Sequence, residues 1–298
     1  MKRDLVTIKN DKLTVQIDPL GASLTSISET IAGSGERIEY LWQGDSKYWT
    51  DQAPNLFPYI ARLTQGKYRL DGNEYRMDIH GFAKDLVFVV AKKREDAVEF
   101  ILEDNEDTYR QYPYHFVLKI GYQLTGRQLK ITFFVKNRDE KTMYFGIGGH
   151  PGFNVPLERS LRFEDYVLEF SDRCRAKRVS FSPDCFVEGE PSAFALKEDR
   201  ILPLSHDLFD EDAIVLTEMG KQVTLKAKSG RRKVRVTYND MDYLGIWHMP
   251  HTDAPYVCIE PWSSLPSRKG IVEDLAEQPG LVRLEDNGEY INTWSIEI

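Results

Sequence analysis

The strongest constraint on the fold is a period-two alternation of apolar and polar residues that recurs along the chain. In QLKITFFVKN, residues 128–137, the apolar positions Leu129, Ile131, Phe133 and Val135 alternate with mostly polar ones. Successive side chains of a strand point to opposite faces of a sheet, so this pattern predicts a half-buried antiparallel strand. The same alternation predicts further strands at 115–124, 222–227, 233–238 and 293–298.

Turn residues separate these segments, and helical patterns are scarce. Asp71-Gly72 predicts a hairpin and Gly126-Arg127 divides two long strands. The best helical candidate is a short segment around Ile271 to Ala276, ahead of Pro279. Many short strands with few helices predict an all-β fold, a large antiparallel sandwich or barrel. We find neither a repeat nor a linker, which predicts a single domain over residues 1–298.

Charge and cysteine content narrow the function classes. The 39 Lys and Arg against 47 Asp and Glu give a net charge of −8, which disfavours nucleic acid and anionic membranes as partners. No apolar stretch approaches the roughly 20 residues that span a bilayer. Cys174, Cys185 and Cys258 are odd in number and lack metal-binding spacing, so neither a disulfide framework nor a zinc knuckle is indicated. We therefore expect a cytoplasmic protein.

Motifs for other chemistries are weak or missing. The chain has no GxSxG, GxGxxG or GxxxxGK[ST] segment, which disfavours nucleophilic-serine and nucleotide-dependent enzymes. His248 and His251 have HxxH spacing, but Pro250 between them prevents the helix that would align them on a metal. We expect no cofactor and no metal.

Residues 146–154, GIGGHPGFN, hold His150 between glycines and a proline. The glycines allow the backbone to bend sharply or to approach a ligand closely, and Pro151 fixes the chain behind the histidine. His150 is thus either presented to a ligand or is a bulge histidine that caps its own loop.

Residues 255–264, PYVCIEPWSS, end an apolar run on Glu260. A carboxylate in that place must be exposed, hydrogen-bonded or shifted in pKa, because unpaired burial costs several kcal/mol. A raised carboxyl pKa suits a general base. The competing interpretation is a structural ion pair with an arginine such as Arg62.

Arg62 and His80 complete the set of candidate residues. Arg62 follows the apolar run NLFPYIA, where a solvated surface arginine is the simpler alternative. His80 precedes Gly81-Phe82 at the end of the predicted hairpin, where a turn histidine bonded to backbone is equally compatible. Two histidines, a glutamate and an arginine at the ends of β elements can transfer protons to and from a hydroxylated ligand.

Taken in order, the segments GASLTSI, PYIARLTQGKY, HGFAKD, GGHPGFN, LFDEDAIVL and YVCIEPW resemble the aldose 1-epimerase (galactose mutarotase-like) superfamily, and especially its bacterial LacX-like branch. The resemblance covers nearly the whole chain and implies a β-supersandwich. It implies Glu260 as general base and His150 as general acid. It further implies that His80, Arg62 and Asp212 bind the substrate, with Asp210 and Glu211 as neighbouring alternatives to Asp212.

The resemblance implies interconversion of the α and β anomers of a monosaccharide such as galactose or glucose. Glu260 would take the proton of the anomeric hydroxyl while protonated His150 gives one to the ring oxygen. We expect His150, His80 and Glu260 to converge on one cleft, with carboxylate and imidazole about a sugar ring apart.

Two alternatives stay open. One is a hexose-6-phosphate 1-epimerase, with Arg159 and Arg268 supplying a cationic pocket for the phosphate. The other is a non-catalytic sugar-binding or sensor protein that keeps the fold and the cleft.

Overall fold

The alternating segments form antiparallel strands in the computed structural model, which describes residues 4–298. Residues 128–137 pair with residues 116–125 on one side and with residues 289–297 on the other. The apolar side chains predicted to face inward, from Leu129 to Val135, are buried, and the residues between them are partly or fully exposed.

The described residues contain 25 strands, numbered β1 to β25 in chain order. Strands β1 to β13 are Val6–Lys9, Thr14–Asp18, Ser23–Thr30, Arg37–Glu39, Asn55–Leu56, Lys67–Leu70, Asn73–Arg76, Val89–Lys93, Ala97–Glu103, Phe116–Thr125, Gln128–Asn137, Met143–Phe145 and Gly148–Gly149. Strands β14 to β25 are Gly152–Asn154, Tyr166–Phe170, Lys177–Arg178, Ser192–Ala193, Ile201–Pro203, Ile214–Thr217, Gln222–Ala227, Lys233–Thr237, Tyr243–Trp247, Tyr256–Trp262, Val282–Leu284 and Glu289–Glu297.

Two large sheets dominate the architecture. The first has nine strands in the order β18-β15-β20-β21-β25-β11-β10-β9-β8. The second has eight, in the order β17-β16-β19-β22-β23-β13-β5, with β14 also paired to β23. Side chains of both sheets, such as Phe133 of β11 and Ile259 of β23, belong to one buried apolar cluster. The predicted all-β supersandwich is confirmed.

Smaller sheets cover the remaining chain. They are β1-β2-β3-β4, β12-β24 and β6-β7. The last of these is the hairpin predicted at Asp71-Gly72. Four short 3₁₀ segments lie at Thr64–Gly66, Ala83–Asp85, Phe163–Asp165 and His206–Phe209.

The predicted helix around Ile271 to Ala276 is wrong. That segment meets β6 at a parallel bridge between Asp274 and Arg69 and then turns; the Arg69 N–H donates to the Glu273 carbonyl and the Leu275 N–H donates to the Arg69 carbonyl. The α-helix of the described chain, α1, spans Glu106–Gln111, and the Asn105 side chain caps its first turn. Tertiary pairing with β6 thus outweighs a weak local preference for helix. Among residues 4–298, no helix is long and apolar enough to cross a membrane.

Candidate active site

A cleft of about 550 Å³ opens on the eight-stranded sheet. Its volume lies in the roughly 300–1,000 Å³ range of small-molecule sites. All five residues proposed from the sequence line it, namely Arg62, His80, His150, Asp212 and Glu260. The expectation that the two histidines and Glu260 converge on one cleft therefore agrees with the geometry.

His150 lies in the two-residue gap between β13 and β14, both of which pair with β23. Gly148 is opposite Trp262 and Gly152 is opposite Cys258. Continuing the same antiparallel register through the gap places His150 opposite Glu260. The interruption at His150-Pro151 fits the absence of an N–H on proline.

The glycines before His150 allow the backbone to pack closely against neighbouring residues. A Cβ on Gly149 would lie 2.5 Å from a ring carbon of Trp294, and one on Gly148 would lie 2.7 Å from the Pro261 carbonyl oxygen. Neither glycine has a positive φ. The backbone that carries the imidazole is therefore pressed against the core and against β23, so His150 is held firmly from behind.

Glu260 lies inside β23, two residues before its end at Trp262, and not at its end as the sequence suggested. Its residue surface is 1% exposed. On the neighbouring strand β22 its partner is Gly245, where a Cβ would lie 3.1 Å from the Trp262 ring and 3.2 Å from the Glu260 Cβ, so the strands pack closely here. An interior glutamate in a fully buried strand needs a partner or a proton.

His150 Nε2 and Glu260 Oε2 are 3.2 Å apart. The contact is close enough for an ion pair but is not a hydrogen bond, and neither this carboxyl oxygen nor His150 Nδ1 has a hydrogen-bond partner among the described residues. The expectation that imidazole and carboxylate lie about a sugar ring apart is wrong. The anomeric and ring oxygens of an aldose are bonded to the same carbon, so an acid and a base that serve them can be near neighbours.

Burial controls the protonation of this pair. It lowers the pKa of His150 to about 4. It raises the pKa of Glu260 well above the ordinary value, and the nearby Asp212 carboxylate raises it further, while the Trp262 indole opposes the rise. Both shifts favour the uncharged form of each group, a neutral imidazole beside a protonated carboxyl, so the sugar-free pair holds one titratable proton.

His80 is a turn histidine and a cleft residue at once. It has φ of 67° and the following Gly81 has φ of 72°. The Ala61 N–H donates to His80 Nδ1 at 3.1 Å, and the His80 N–H donates to the Ala61 carbonyl at 2.9 Å. Because Nδ1 accepts, the neutral ring carries its proton on Nε2 and can donate it to a ligand. Burial, with the nearby His150, lowers the pKa of His80 well below the ordinary value, which keeps the ring neutral.

Arg62 does not form the alternative ion pair with Glu260, and its guanidinium makes no salt bridge to any residue in 4–298. The Ser267 N–H fixes its backbone by donating to the Arg62 carbonyl at 3.0 Å. An exposed, unpaired cation on the wall of a cleft is available to a polar ligand.

Asp212 precedes β19 and adopts a φ of 73°. Its two carboxylate oxygens accept from the Cys185 thiol at 3.0 Å and from the Ala213 N–H at 2.9 Å. Of the neighbouring acids, Asp210 contacts His251, and Glu211 lines the cleft while pairing loosely with Arg178. The geometry favours Asp212 over Asp210 as the fixed acceptor in the cleft.

Some of the sequence candidates lie elsewhere. Arg159 and Arg268 do not line the cleft, and Arg268 forms a two-point ion pair with the buried Glu273. His248 and His251 have different partners: His248 contacts His206 at 3.1 Å and His251 contacts Asp210. The proposed phosphate pocket therefore lacks both of its arginines.

Sequence reasoning missed the aromatic wall of the cleft. Trp49 stacks on the His150 ring, with centroids 4.8 Å apart and planes 30° apart. Trp247 meets the same ring edge-on at 5.8 Å. Trp49 comes from a loop without periodicity, so only the distant contact reveals it. For Trp247, the only signal in the sequence that could have indicated a site residue is its position as the last residue of strand β22.

Comparison with known proteins gives the same family. The family model described as aldose 1-epimerase matches residues 4–273. Protein LacX (chromosomal) of Lactococcus lactis subsp. lactis is 34% identical over 269 residues, covering 87% of this chain and 88% of LacX.

Two solved structures resemble the fold across nearly the full length. A galactose mutarotase related enzyme from Lactobacillus acidophilus has a TM-score of 0.91 and 31% identity, covering 99% of this chain and 97% of its own. A galactose mutarotase-like protein from Lactobacillus casei has a TM-score of 0.92 and 32% identity, covering 99% of both chains. On the extent of these matches, the chain belongs to the aldose 1-epimerase family, in its galactose mutarotase-like, LacX-like branch.

Proposed function

We propose that this chain, as a single β-supersandwich domain, catalyses the interconversion of α and β anomers of a neutral hexose such as galactose or glucose. The observation that carries the proposal is the buried contact between His150 and Glu260 at the base of the cleft. Family membership and the solved galactose mutarotase-like relatives support the same reaction class.

The pair has the composition that ring opening needs. A base removes the proton of the anomeric hydroxyl, the bond between C1 and the ring oxygen breaks, and an acid protonates that oxygen. Rotation about C1–C2 and reclosure give the other anomer. Transfer of the shared proton from Glu260 to His150, across 3.2 Å, turns the resting pair into the carboxylate base and imidazolium acid of this scheme.

The other cleft residues suit the binding of hydroxyl groups. His80 offers an N–H, Arg62 offers a fork of donors, and Asp212 offers an acceptor fixed by two hydrogen bonds. Trp49 and Trp247 supply aromatic surface against which the C–H face of a sugar can pack.

The charge of the cleft favours a neutral sugar over a sugar phosphate. Arg62 and Lys84 line it on the positive side, but Asp51, Glu211 and Asp212 line it on the negative side. Lys84 is moreover paired with Asp85 at 2.6 Å. A phosphate would meet no surplus of cations.

Polarimetry tests the proposal directly. Fresh α-galactose, α-glucose and α-glucose 6-phosphate are each followed to anomeric equilibrium with and without the protein, with a heat-denatured sample as blank. We expect faster mutarotation of one or both neutral hexoses. If the sugar quenches tryptophan fluorescence but mutarotation is not accelerated, the protein binds sugar and is not a mutarotase. If only glucose 6-phosphate is accelerated, the substrate is a sugar phosphate and not a neutral hexose.

A further inference from the structure

Cys258 lies on the same face of β23 as Glu260, next to the pair of the proposed reaction but outside it. The two residues are two positions apart on one strand, so their side chains point to the same side of the sheet. The ligand atoms of His150, Cys258 and Glu260 all lie within 4.8 Å of one another. A nitrogen, a sulfur and an oxygen donor thus converge next to the cleft, which His150 and Glu260 line and Cys258 does not.

We propose that this triad is a binding site for a zinc-like divalent cation, which blocks the cleft by occupying both members of the acid–base pair. Imidazole, thiolate and carboxylate are the three ligand types that zinc takes in proteins, and sets of three protein ligands are typical where a fourth position stays open. Here the fourth position faces the cleft, since His150 and Glu260 line it.

The spacing of two ligands matches a tetrahedral ion. Two nitrogen or oxygen ligands, each about 2.0–2.1 Å from zinc, lie about 3.3 Å apart. His150 Nε2 and Glu260 Oε2 are 3.2 Å apart. The edge of the tetrahedron is therefore already formed, and a small movement of the Cys258 side chain brings in the sulfur.

The donors are also available. Glu260 Oε2 is buried without a hydrogen-bond partner in the described chain, so metal binding breaks no well-formed hydrogen bond of this oxygen. Across from Cys258 on β14 is Gly152, which puts no side chain over the sulfur; even a Cβ there would be 3.5 Å from Sγ. A buried carboxyl oxygen without a partner is a feature that the ion would satisfy.

Binding exchanges protons for metal. Zinc takes the neutral imidazole, the carboxylate and the thiolate, so the protons of Glu260 and Cys258 leave to solvent as the ion enters. With its carboxylate and imidazole coordinated, the pair can neither take a proton from the anomeric hydroxyl nor give one to the ring oxygen. Inhibition is the consequence, and it rests on the proposed function; the binding itself does not.

A spectroscopic test uses Co²⁺ as a zinc substitute on the full chain. We expect a thiolate-to-cobalt charge-transfer band in the near-ultraviolet for the wild type and for Cys174→Ala, whose cysteine lies outside the cleft. Cys258→Ala and Cys258→Ser should lack the band, and circular dichroism checks that each variant is folded. The proposal is overturned by a wild type without the band, or by a band that survives in a folded Cys258 variant.

A kinetic test uses Zn²⁺ and mutarotation of the preferred hexose. Cys258 takes no part in the proton transfers, so Cys258→Ala should keep wild-type activity without metal. Its half-inhibiting Zn²⁺ concentration should rise about tenfold or more, since losing even a residue that only supports a metal ligand costs about 10- to 100-fold in affinity. Equal inhibition of wild type and Cys258→Ala would contradict the triad. If the protein shows the cobalt band but no mutarotase activity, the metal site is supported and only the proposed function is rejected.

Discussion

His150 Nε2 and Glu260 Oε2 lie 3.2 Å apart although the two residues are separated by 260 − 150 = 110 positions in the chain. Antiparallel register brings them together, since the strands that flank His150 pair with β23 on both sides of Glu260. The contact is buried, but its geometry does not make a hydrogen bond, so neither the imidazole nor the carboxyl group is held by the other.

Removing either member of this pair should nearly abolish catalysis. We expect Glu260→Gln and His150→Gln each to lower kcat/KM by about 10²- to 10⁴-fold, because each deletes one proton-transfer group. The double variant should be little worse than either single one, since the two groups act as a unit. Progress curves in a polarimeter with galactose and glucose check this. Near-normal mutarotation by folded Glu260→Gln would contradict the assignment.

The pH dependence of kcat/KM should be bell-shaped. The pair is active with one titratable proton; a second proton binds His150 below about pH 4, and the proton is lost above the raised pKa of Glu260. Asp212→Asn removes a negative charge that raises the pKa of Glu260, so the alkaline limb should move to lower pH. Measuring kcat/KM against pH for the wild type and for Asp212→Asn compares the positions of their alkaline limbs. An unmoved alkaline limb would mean that another group sets it.

Glu260 should also lower the free energy of unfolding as the pH rises above the acidic range. Its folded pKa is raised above the ordinary 4.5, so the folded protein holds a proton that the unfolded chain has already lost. Wild-type stability should therefore fall relative to Glu260→Gln by up to about 1.4 kcal/mol per pH unit, from pH 4.5 up to the folded pKa. Urea unfolding of both proteins at several pH values measures the difference. A stability difference that stays constant with pH would show that the carboxyl is not protonated in the fold.

Gly149 should be intolerant of a side chain. Alanine there would place its Cβ 2.5 Å from the Trp294 ring and push the His150 backbone toward the cleft. We expect a loss of about 1–3 kcal/mol in unfolding free energy, as for other overpacked cores, together with a lower kcat. Gly121→Ala is the matched control, because its Cβ would meet nothing closer than 3.8 Å. If both variants behave like wild type, the support behind His150 is looser than the contacts indicate.

Cys185 should act on substrate affinity through Asp212. Burial and the bond to Asp212 raise the pKa of Cys185 to about 11, so the group stays a thiol and donates its proton. We expect Cys185→Ala to raise KM about three- to tenfold with a smaller change in kcat, the size of one lost hydrogen bond. Cys185→Ser keeps a donor and should restore KM. If KM of Cys185→Ser is as high as KM of Cys185→Ala, the effect comes from lost packing and not from the hydrogen bond.

Local sequence determined the strands and their inward faces. In β11 the positions of Leu129 and Val135 follow from the period of two alone, because side chains of a strand must alternate. The hairpin at Asp71-Gly72 also follows from local turn chemistry. His150 and Glu260 stood out for a similar reason, since each is a polar group where a local pattern breaks.

What the tertiary structure decided is every relationship between distant parts of the chain. The segment at Ile271 to Ala276 forms a bridge and a turn and not a helix, because β6 offers it backbone partners that no local preference could indicate. The contact of Trp49 with His150 and the convergence of Cys258 on the pair depend on strand register. The pKa directions of His150 and Glu260 depend on burial, which only the assembled sheets create. The sequence thus determined which residues could carry chemistry, and long-range packing decided which of them meet and in which protonation state.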